Sequence, residues 1–231
     1  MSYLNPHSTG PDFHVDLMPL VRLRTDRPGP DIVQAARLAQ AAGADGISLV
    51  IGEVAPALLV SIASELMIKL HLRLPAGSQL LDQTISMRPQ RICMSMRDGS
   101  AEAAKQLHTN GIEFAFAIET ELEQVQAAHA AGACAIEFDA SKYGTSATAI
   151  CADEEFERLA TCTVAASRLG MQVQVAHGLD LNNAGRLAAL EDVTQIQVGQ
   201  ALLVRAIAVG WQTAVGDMKA ILTQARRQRR S

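Results

Sequence analysis

One joint recurs along this chain and restricts its fold more than any other feature. An alanine-rich helical pattern ends in glycine, and an apolar strand pattern begins at once. It reads Gln40-Ala41-Ala42-Gly43-Ala44-Asp45-Gly46-Ile47, Thr109-Asn110-Gly111-Ile112-Glu113-Phe114, Ala130-Ala131-Gly132-Ala133-Cys134-Ala135-Ile136 and Arg168-Leu169-Gly170-Met171-Gln172-Val173. Glycine just past a helix supplies the left-handed turn that other residues resist. Repetition of that joint implies βα units and a parallel sheet. Eight candidate strands fall near Val15–Leu20, Gly46–Ile51, Lys69–Leu74, Arg91–Met94, Glu113–Ile118, Ala135–Asp139, Gln172–Ala176 and Gln195–Val198. Helical patterns run over Asp31–Ala42, Ala55–Leu66, Ser78–Ser86, Ala101–Thr109, Glu121–Ala131, Glu154–Leu169 and Asn182–Ala189, with a final helix starting near Ala201 or Thr213. Asp31 is placed to cap the first of these, and Asp153-Glu154-Glu155 suits a helix N-terminus. Eight alternations predict an α/β fold, a single-domain (β/α)8 TIM barrel. An open doubly wound sheet is the rival, but it would carry a glycine-rich phosphate loop after its first strand. The loop here, Arg22 to Pro30, is basic and proline-rich and lacks GxGxxG.

The 231 residues, 48% hydrophobic and 19% charged, suffice for the core of one large domain. We expect a flexible leader over residues 1–12, the barrel over 13–225 and a basic tail over 226–231. That tail, Arg226-Arg227-Gln228-Arg229-Arg230, reads as a frayed, solvated helix end, with a polyanion contact as the lesser alternative. A net charge of -4 gives no reason to expect nucleic acid. No apolar run approaches the roughly 18 residues that span a bilayer, so no membrane association is expected. Cys93, Cys134, Cys151 and Cys162 lack metal-ligand spacing, and Cys93 and Cys134 fall in predicted buried strands, where cysteine acts as a small hydrophobe. A reducing cytoplasm follows as the expected location.

Chemistry in α/β folds collects at the C-terminal ends of strands. Met171 to Ala176 alternates apolar and polar residues and stops at His177-Gly178, before the turn and cap signal Asp180-Leu181-Asn182-Asn183. His177 is therefore a candidate acid–base residue, or a core histidine held by backbone. Alternation places His71 and Arg73 on one strand face, where an inward arginine suits an anionic ligand or pairs with Glu53, Glu137 or Asp139. Glu137 and Asp139 share a face of the sixth strand; as neighbours they form either an acid–base pair or counter-charges for Arg73. Their spacing also suits a metal, but only His177 offers a third ligand, so no metal is expected. Lys142-Tyr143 and the Ser/Thr-rich stretch Gly144 to Thr148 suggest a mobile loop over the barrel mouth.

Three stretches carry a resemblance. They are Leu23-Arg24-Thr25-Asp26-Arg27 leading to Pro30-Asp31-Ile32-Val33-Gln34-Ala35-Ala36; Ala42-Gly43-Ala44-Asp45-Gly46-Ile47; and Val175-Ala176-His177-Gly178-Leu179 with Val198-Gly199-Gln200-Ala201 and Arg205-Ala206. Together, from about Phe13 to Gln224, they resemble the pyridoxine 5'-phosphate synthase family. That family is a (β/α)8 barrel that condenses 3-amino-2-oxopropyl phosphate with 1-deoxy-D-xylulose 5-phosphate, losing water and phosphate as a pyridine ring closes. The resemblance makes His177 catalytic, Gly178 a substrate contact, Gly199 a phosphate contact, Arg27 a substrate-binding arginine and Glu137 a carboxylate near the site. It implies a phosphorylated small-molecule ligand, no cofactor and a homo-oligomer.

The departures concentrate on proton carriers. Where the family's first strand ends in Asp-His, the chain is matched by Met18-Pro19. A catalytic histidine and an arginine at the second strand become Val50 and Gly52, and a histidine beyond it becomes Ala57. The third strand's catalytic glutamate becomes Arg73, and the histidine after Gly199 becomes Gln200. The loop after the fourth strand shortens to Ser95-Met96-Arg97-Asp98-Gly99. Loss of one positioned acid–base group costs roughly 10²–10⁴ in rate. Three functions stay open: the family's ring-forming synthase reaction; different chemistry on a related phosphorylated ligand, recognised by Arg73 and Gln200, with His177 and Glu137 or Asp139 moving protons; and binding of a phosphorylated metabolite without catalysis.

Overall fold

The computed structural model describes residues 10–23, 29–75, 80–86, 89, 91–96 and 100–230. Its elements run β1 (Asp12–Asp16), α1 (Met18–Arg22), α2 (Ile32–Ala41), β2 (Gly46–Val50), α3 (Pro56–Glu65), β3 (Lys69–Leu74), α4 (Leu81–Ser86), β4 (Arg91–Ser95), α5 (Ser100–Thr109), β5 (Glu113–Ile118) and α6 (Leu122–Ala130). They continue β6 (Ala135–Asp139), α7 (Ser141–Gly144), α8 (Ala149–Arg168), β7 (Gln172–Ala176), α9 (Ala184–Ala188), β8 (Val193–Val198), α10 (Gln200–Val209) and α11 (Trp211–Arg230). The strands close in sequence order into a parallel barrel, with β1 hydrogen-bonded to both β2 and β8. This is the (β/α)8 TIM barrel that the helix–glycine–strand joints predict.

Strand alternation divides the molecule into two cores. Phe13, Val15, Ile47, Leu49, Phe114, Phe116, Ile136, Phe138, Val173, Val175 and Ile196 are fully or almost fully buried in the main apolar cluster with the helices. The alternate positions hold buried His14, Ser48, His71, Glu137, Gln174, Gln195 and Gln197. Among them, Cys93, Ala115 and Ala135 form a separate small cluster. The barrel interior is therefore polar where a structural barrel would carry branched aliphatic residues.

Three boundaries differ from expectation. The first strand ends at Asp16, not Leu20. Pro19 has no N–H for the ladder but suits the first turn of a helix, and α1 begins there with the Met18 amide donating to Asp16 Oδ1 at 2.9 Å. Helix α8 starts at Ala149 because Thr148 caps the Cys151 amide at 3.2 Å; Asp153 lies in its second turn and pairs with Arg186. The final helix is two helices, parted at Gly210 by its positive φ of 83°.

Helix α11 continues through the basic segment to Arg230. Arg226 is buried, contrary to a solvated tail, and donates to the carbonyls of Glu191 at 3.0 Å and Val193 at 2.7 Å. Tyr143 is likewise anchored, not part of a loose loop: it is buried in α7, and its hydroxyl donates to the Asn183 carbonyl at 3.2 Å.

Candidate active site

The C-terminal rim is assembled from five strands, β1, β3, β6, β7 and β8. At the end of β7 the chain turns sharply: His177 (φ 64°) and Gly178 (φ 62°) both take left-handed backbone. For a histidine this conformation is uncommon and must be held by its surroundings. The holding is visible. Asn183 Nδ2 donates to the Gly178 carbonyl at 2.9 Å, and Asn183 is fixed by reciprocal bonds with Asp180 at 2.8 and 3.0 Å. A side chain at Gly178 would lie 2.7 Å from Ser141 Cα and 2.8 Å from the Ala140 carbonyl, so glycine is required there. The Asp180-Leu181-Asn182-Asn183 signal is thus the brace that presents His177.

His177 is exposed and meets Arg73 from β3, with Arg73 Nη1 2.8 Å from its Nε2. Arginine only donates, so Nε2 accepts and the ring proton lies on Nδ1. The other arm of the guanidinium, Nη2, donates to Glu137 Oε1 at 2.5 Å. Of the three carboxylates considered for Arg73, Glu137 is the partner. Glu53 instead forms a bidentate pair with Arg22, at 3.0 and 3.1 Å. Asp139, exposed at the end of β6, accepts from the Ser141 amide at 2.8 Å and starts α7. Burial opposes ionisation of Glu137, but the Arg73 guanidinium leads the contacts that outweigh it, leaving its pKa below the ordinary carboxylate value. Glu137 therefore stays charged near neutral pH and is the counter-ion of Arg73.

Below this pair lie two further groups. His71 Nε2 is 3.6 Å from Glu137 Oε2, and burial pushes its pKa down to about 4 against the pull of that carboxylate. Burial, reinforced by Glu137, holds the Cys93 thiol well above its usual pKa. Both are neutral near pH 7.

Asp16 is the residue that sequence reading missed. It ends β1 beside Gly199, where an added Cβ would lie 2.9 Å from both Asp16 Cβ and its carbonyl. Burial raises its pKa, while the Met18 amide, Arg73 and His177 pull the other way. Its signal is the alternation in Phe13-His14-Val15-Asp16, four residues short of the strand end expected at Leu20. Gly199 precedes α10, and exposed Gln200 is its first residue, so the amides of this helix start face the same rim. Arg27 lies outside the described residues, as does most of the loop after β4. The structure thus brings together His177, Arg73 and Glu137, with Asp16 and Gly199 beside them.

Such a rim can hold an anion at an arginine and a helix start while an imidazole and a carboxyl of raised pKa exchange protons. Comparison with known proteins agrees with a barrel of this kind. Residues 94–224, over half of the chain, match the family model described as pyridoxal phosphate biosynthesis protein PdxJ. Pyridoxine 5'-phosphate synthase of Magnetococcus marinus is 30% identical over 217 residues, covering 85% of this chain and 89% of its own. Among solved structures, the Amycolatopsis orientalis BexX/CysO complex shares the fold at TM-score 0.64 and 18% identity, covering 95% of this chain and 91% of that one. Phosphoribosyl anthranilate isomerase of Thermus thermophilus does so at TM-score 0.63 and 15% identity, covering 92% and 98%. With the model match spanning most of the barrel's second half and the full-length relative at this identity, the chain belongs to the pyridoxine 5'-phosphate synthase family.

Proposed function

We propose that this protein is a proton-transferring enzyme of the pyridoxine 5'-phosphate synthase type, acting on a phosphorylated keto compound at the rim of the barrel. The observation that carries this reading is the chain of contacts Glu137–Arg73–His177 with Asp16 beside Gly199. Arg73 and the amides at the start of α10, with Gly178, Gly199 and Gln200 around them, hold the phosphate. His177, whose Nε2 accepts from Arg73 and whose Nδ1 carries the ring proton, polarises a carbonyl oxygen. Asp16, its pKa raised by burial, carries the proton taken from carbon. Glu137 fixes Arg73 and is a positioning residue. The position of Asp16 at the end of β1 supports matching the family's Asp-His pair to Asp16-Leu17 in place of Met18-Pro19.

One observation favours a second reading, ligand binding without turnover: an arginine stands on β3 where the family carries its catalytic glutamate. The two are separated by supplying purified protein with 3-amino-2-oxopropyl phosphate and 1-deoxy-D-xylulose 5-phosphate. The expected result is pyridoxine 5'-phosphate, with the rate falling roughly 10²-fold or more in Asp16→Asn and in His177→Ala. No product, together with a raised Tm in either substrate, leaves the binding reading. No product and no shift in Tm would overturn both. A cytoplasmic homo-oligomer is part of the proposal. Among the described residues no helix is long and apolar enough to cross a membrane, and α10 exposes Val204 and Ile207.

A further inference from the structure

We propose that the barrel interior holds a divalent zinc-type ion on His71, Cys93 and Glu137, beneath the Arg73–Glu137 pair. These residues come from β3, β4 and β6, and all three are buried. One donor atom from each, imidazole nitrogen, thiol sulfur and carboxylate oxygen, lies within 4.8 Å of the other two. A tetrahedral site with bonds of about 2.0–2.3 Å needs donors roughly 3.3–3.7 Å apart. His71 Nε2 and Glu137 Oε2 stand at 3.6 Å, inside that range.

A second observation points the same way. His71 Nε2 and Glu137 Oε2 are buried without a hydrogen-bond partner of ordinary geometry, and the Cys93 thiol interacts with the same carboxylate. They are the two donor atoms that an ion would take up. The geometry also divides the labour on Glu137: Arg73 occupies Oε1 and orients the carboxylate, leaving Oε2 for the ion, as outer partners of metal ligands commonly do. The donor set of one nitrogen, one sulfur and one oxygen suits zinc and not calcium or magnesium, which take oxygen ligands. Binding replaces the thiol proton, which is released to solvent, so the ion faces the Cys93 thiolate and a Glu137 carboxylate whose charge it shares with Arg73. The expectation of no metal weighed Glu137 with Asp139 and His177. The ligands proposed are a different set, gathered from three strands that no sequence spacing links.

The test needs no turnover, so it stands apart from the assay for pyridoxine 5'-phosphate. Chelator-treated protein is titrated with Co2+ and then with Zn2+. Expected are saturation at about one equivalent, a near-ultraviolet sulfur-to-cobalt charge-transfer absorption, and its loss when Zn2+ displaces Co2+. Cys93→Ser, checked for native circular dichroism, should abolish the band. Joint replacement of Cys134, Cys151 and Cys162 by serine should preserve it. If Cys93→Ser does not fold, His71→Gln serves in its place and should weaken Zn2+ binding roughly tenfold or more. A protein without the band, a band that survives Cys93→Ser, or one lost with the exposed Cys151 would overturn the site, leaving an interior filled by water or an ion held by a surface thiol.

Discussion

At the scale of single residues, the most consequential group is the guanidinium of Arg73 on β3, and Glu137 shows how it is accommodated. A guanidinium in a polar but enclosed rim is costly to desolvate unless a carboxylate of matching geometry is at hand. Glu137 meets it at 2.5 Å, and the pair is sheltered, with side-chain exposures of 18% for Arg73 and 2% for Glu137. Breaking such a pair from one side leaves an uncompensated charge. Glu137→Leu alone should therefore lower unfolding stability by about 3 kcal/mol, as should Arg73→Met alone, while the two combined should recover most of that loss. Urea unfolding of the two single variants and the double variant measures the coupling; a coupling below about 0.5 kcal/mol would show the pair to be independent. This pairing was legible in advance because a period of two and a choice among three carboxylates are enough to suggest it. Asp16 was not legible in the same way. Its role depends on where β1 stops, and strand ends are set by how proline and the next helix compete for the backbone, not by the strand's own pattern. Cys93 read as a small hydrophobe for a similar reason: its neighbours Glu137 and His71 come from strands far away in sequence.

Elements rather than residues explain why the rim is rigid. His177 is held because β7, the Asp180–Asn183 turn and α7 brace one another, and each of those segments announces itself by short polar residues or glycine. The helix–glycine–strand joints were equally plain, since Gly43, Gly111, Gly132 and Gly170 all have positive φ. Helix ends were harder. Thr148 caps α8 one turn before the acidic cluster that looked like its start, because a threonine at a loop's end gives no periodic signal. The C-terminal helix was the least legible: a run of arginines says solvent, yet Arg226 turns inward between α11, α9 and β8. Its guanidinium satisfies two carbonyls at the end of the α9–β8 connection and so clamps the last helix onto the barrel. Arg226→Ala should cost about 3 kcal/mol, the worth of charged hydrogen bonds plus the carbonyls left unpaired. Arg227→Ala, on the exposed side of the same turn, should stay within about 0.5 kcal/mol. Equal Tm values for the two variants would show that the clamp contributes nothing.

Across the whole molecule, the interior of this barrel is built from groups that resist protonation or deprotonation instead of from hydrocarbon, and that ties stability to pH. His14 and His71 are both fully enclosed; burial leads the causes that press His14 well below its ordinary pKa, and His71 goes from 6.5 to about 4. In the unfolded chain each takes a proton near pH 6.5, so below that value the unfolded state binds more protons than the folded one. Stability is then fully present above about pH 6.5 and is lost as the pH falls toward 4. Glu137, whose pKa is lowered, adds a loss in the same direction but at lower pH, below the ordinary carboxylate value of 4.5. Asp16, whose pKa is raised, acts in the opposite sense, since the folded state holds its proton more tightly. The histidines set the slope between pH 6.5 and 4, and the shift of His71 alone is worth about 3 kcal/mol. Urea unfolding of the metal-free protein at pH 7 and at pH 4.5 should show the wild-type chain losing most of that amount from His71 and more from His14. His71→Gln, which has no proton to gain, should lose correspondingly less over the same interval. If the variant and the wild-type chain fall in parallel, the imidazole on β3 is not enclosed as its position between Glu137 and His14 requires.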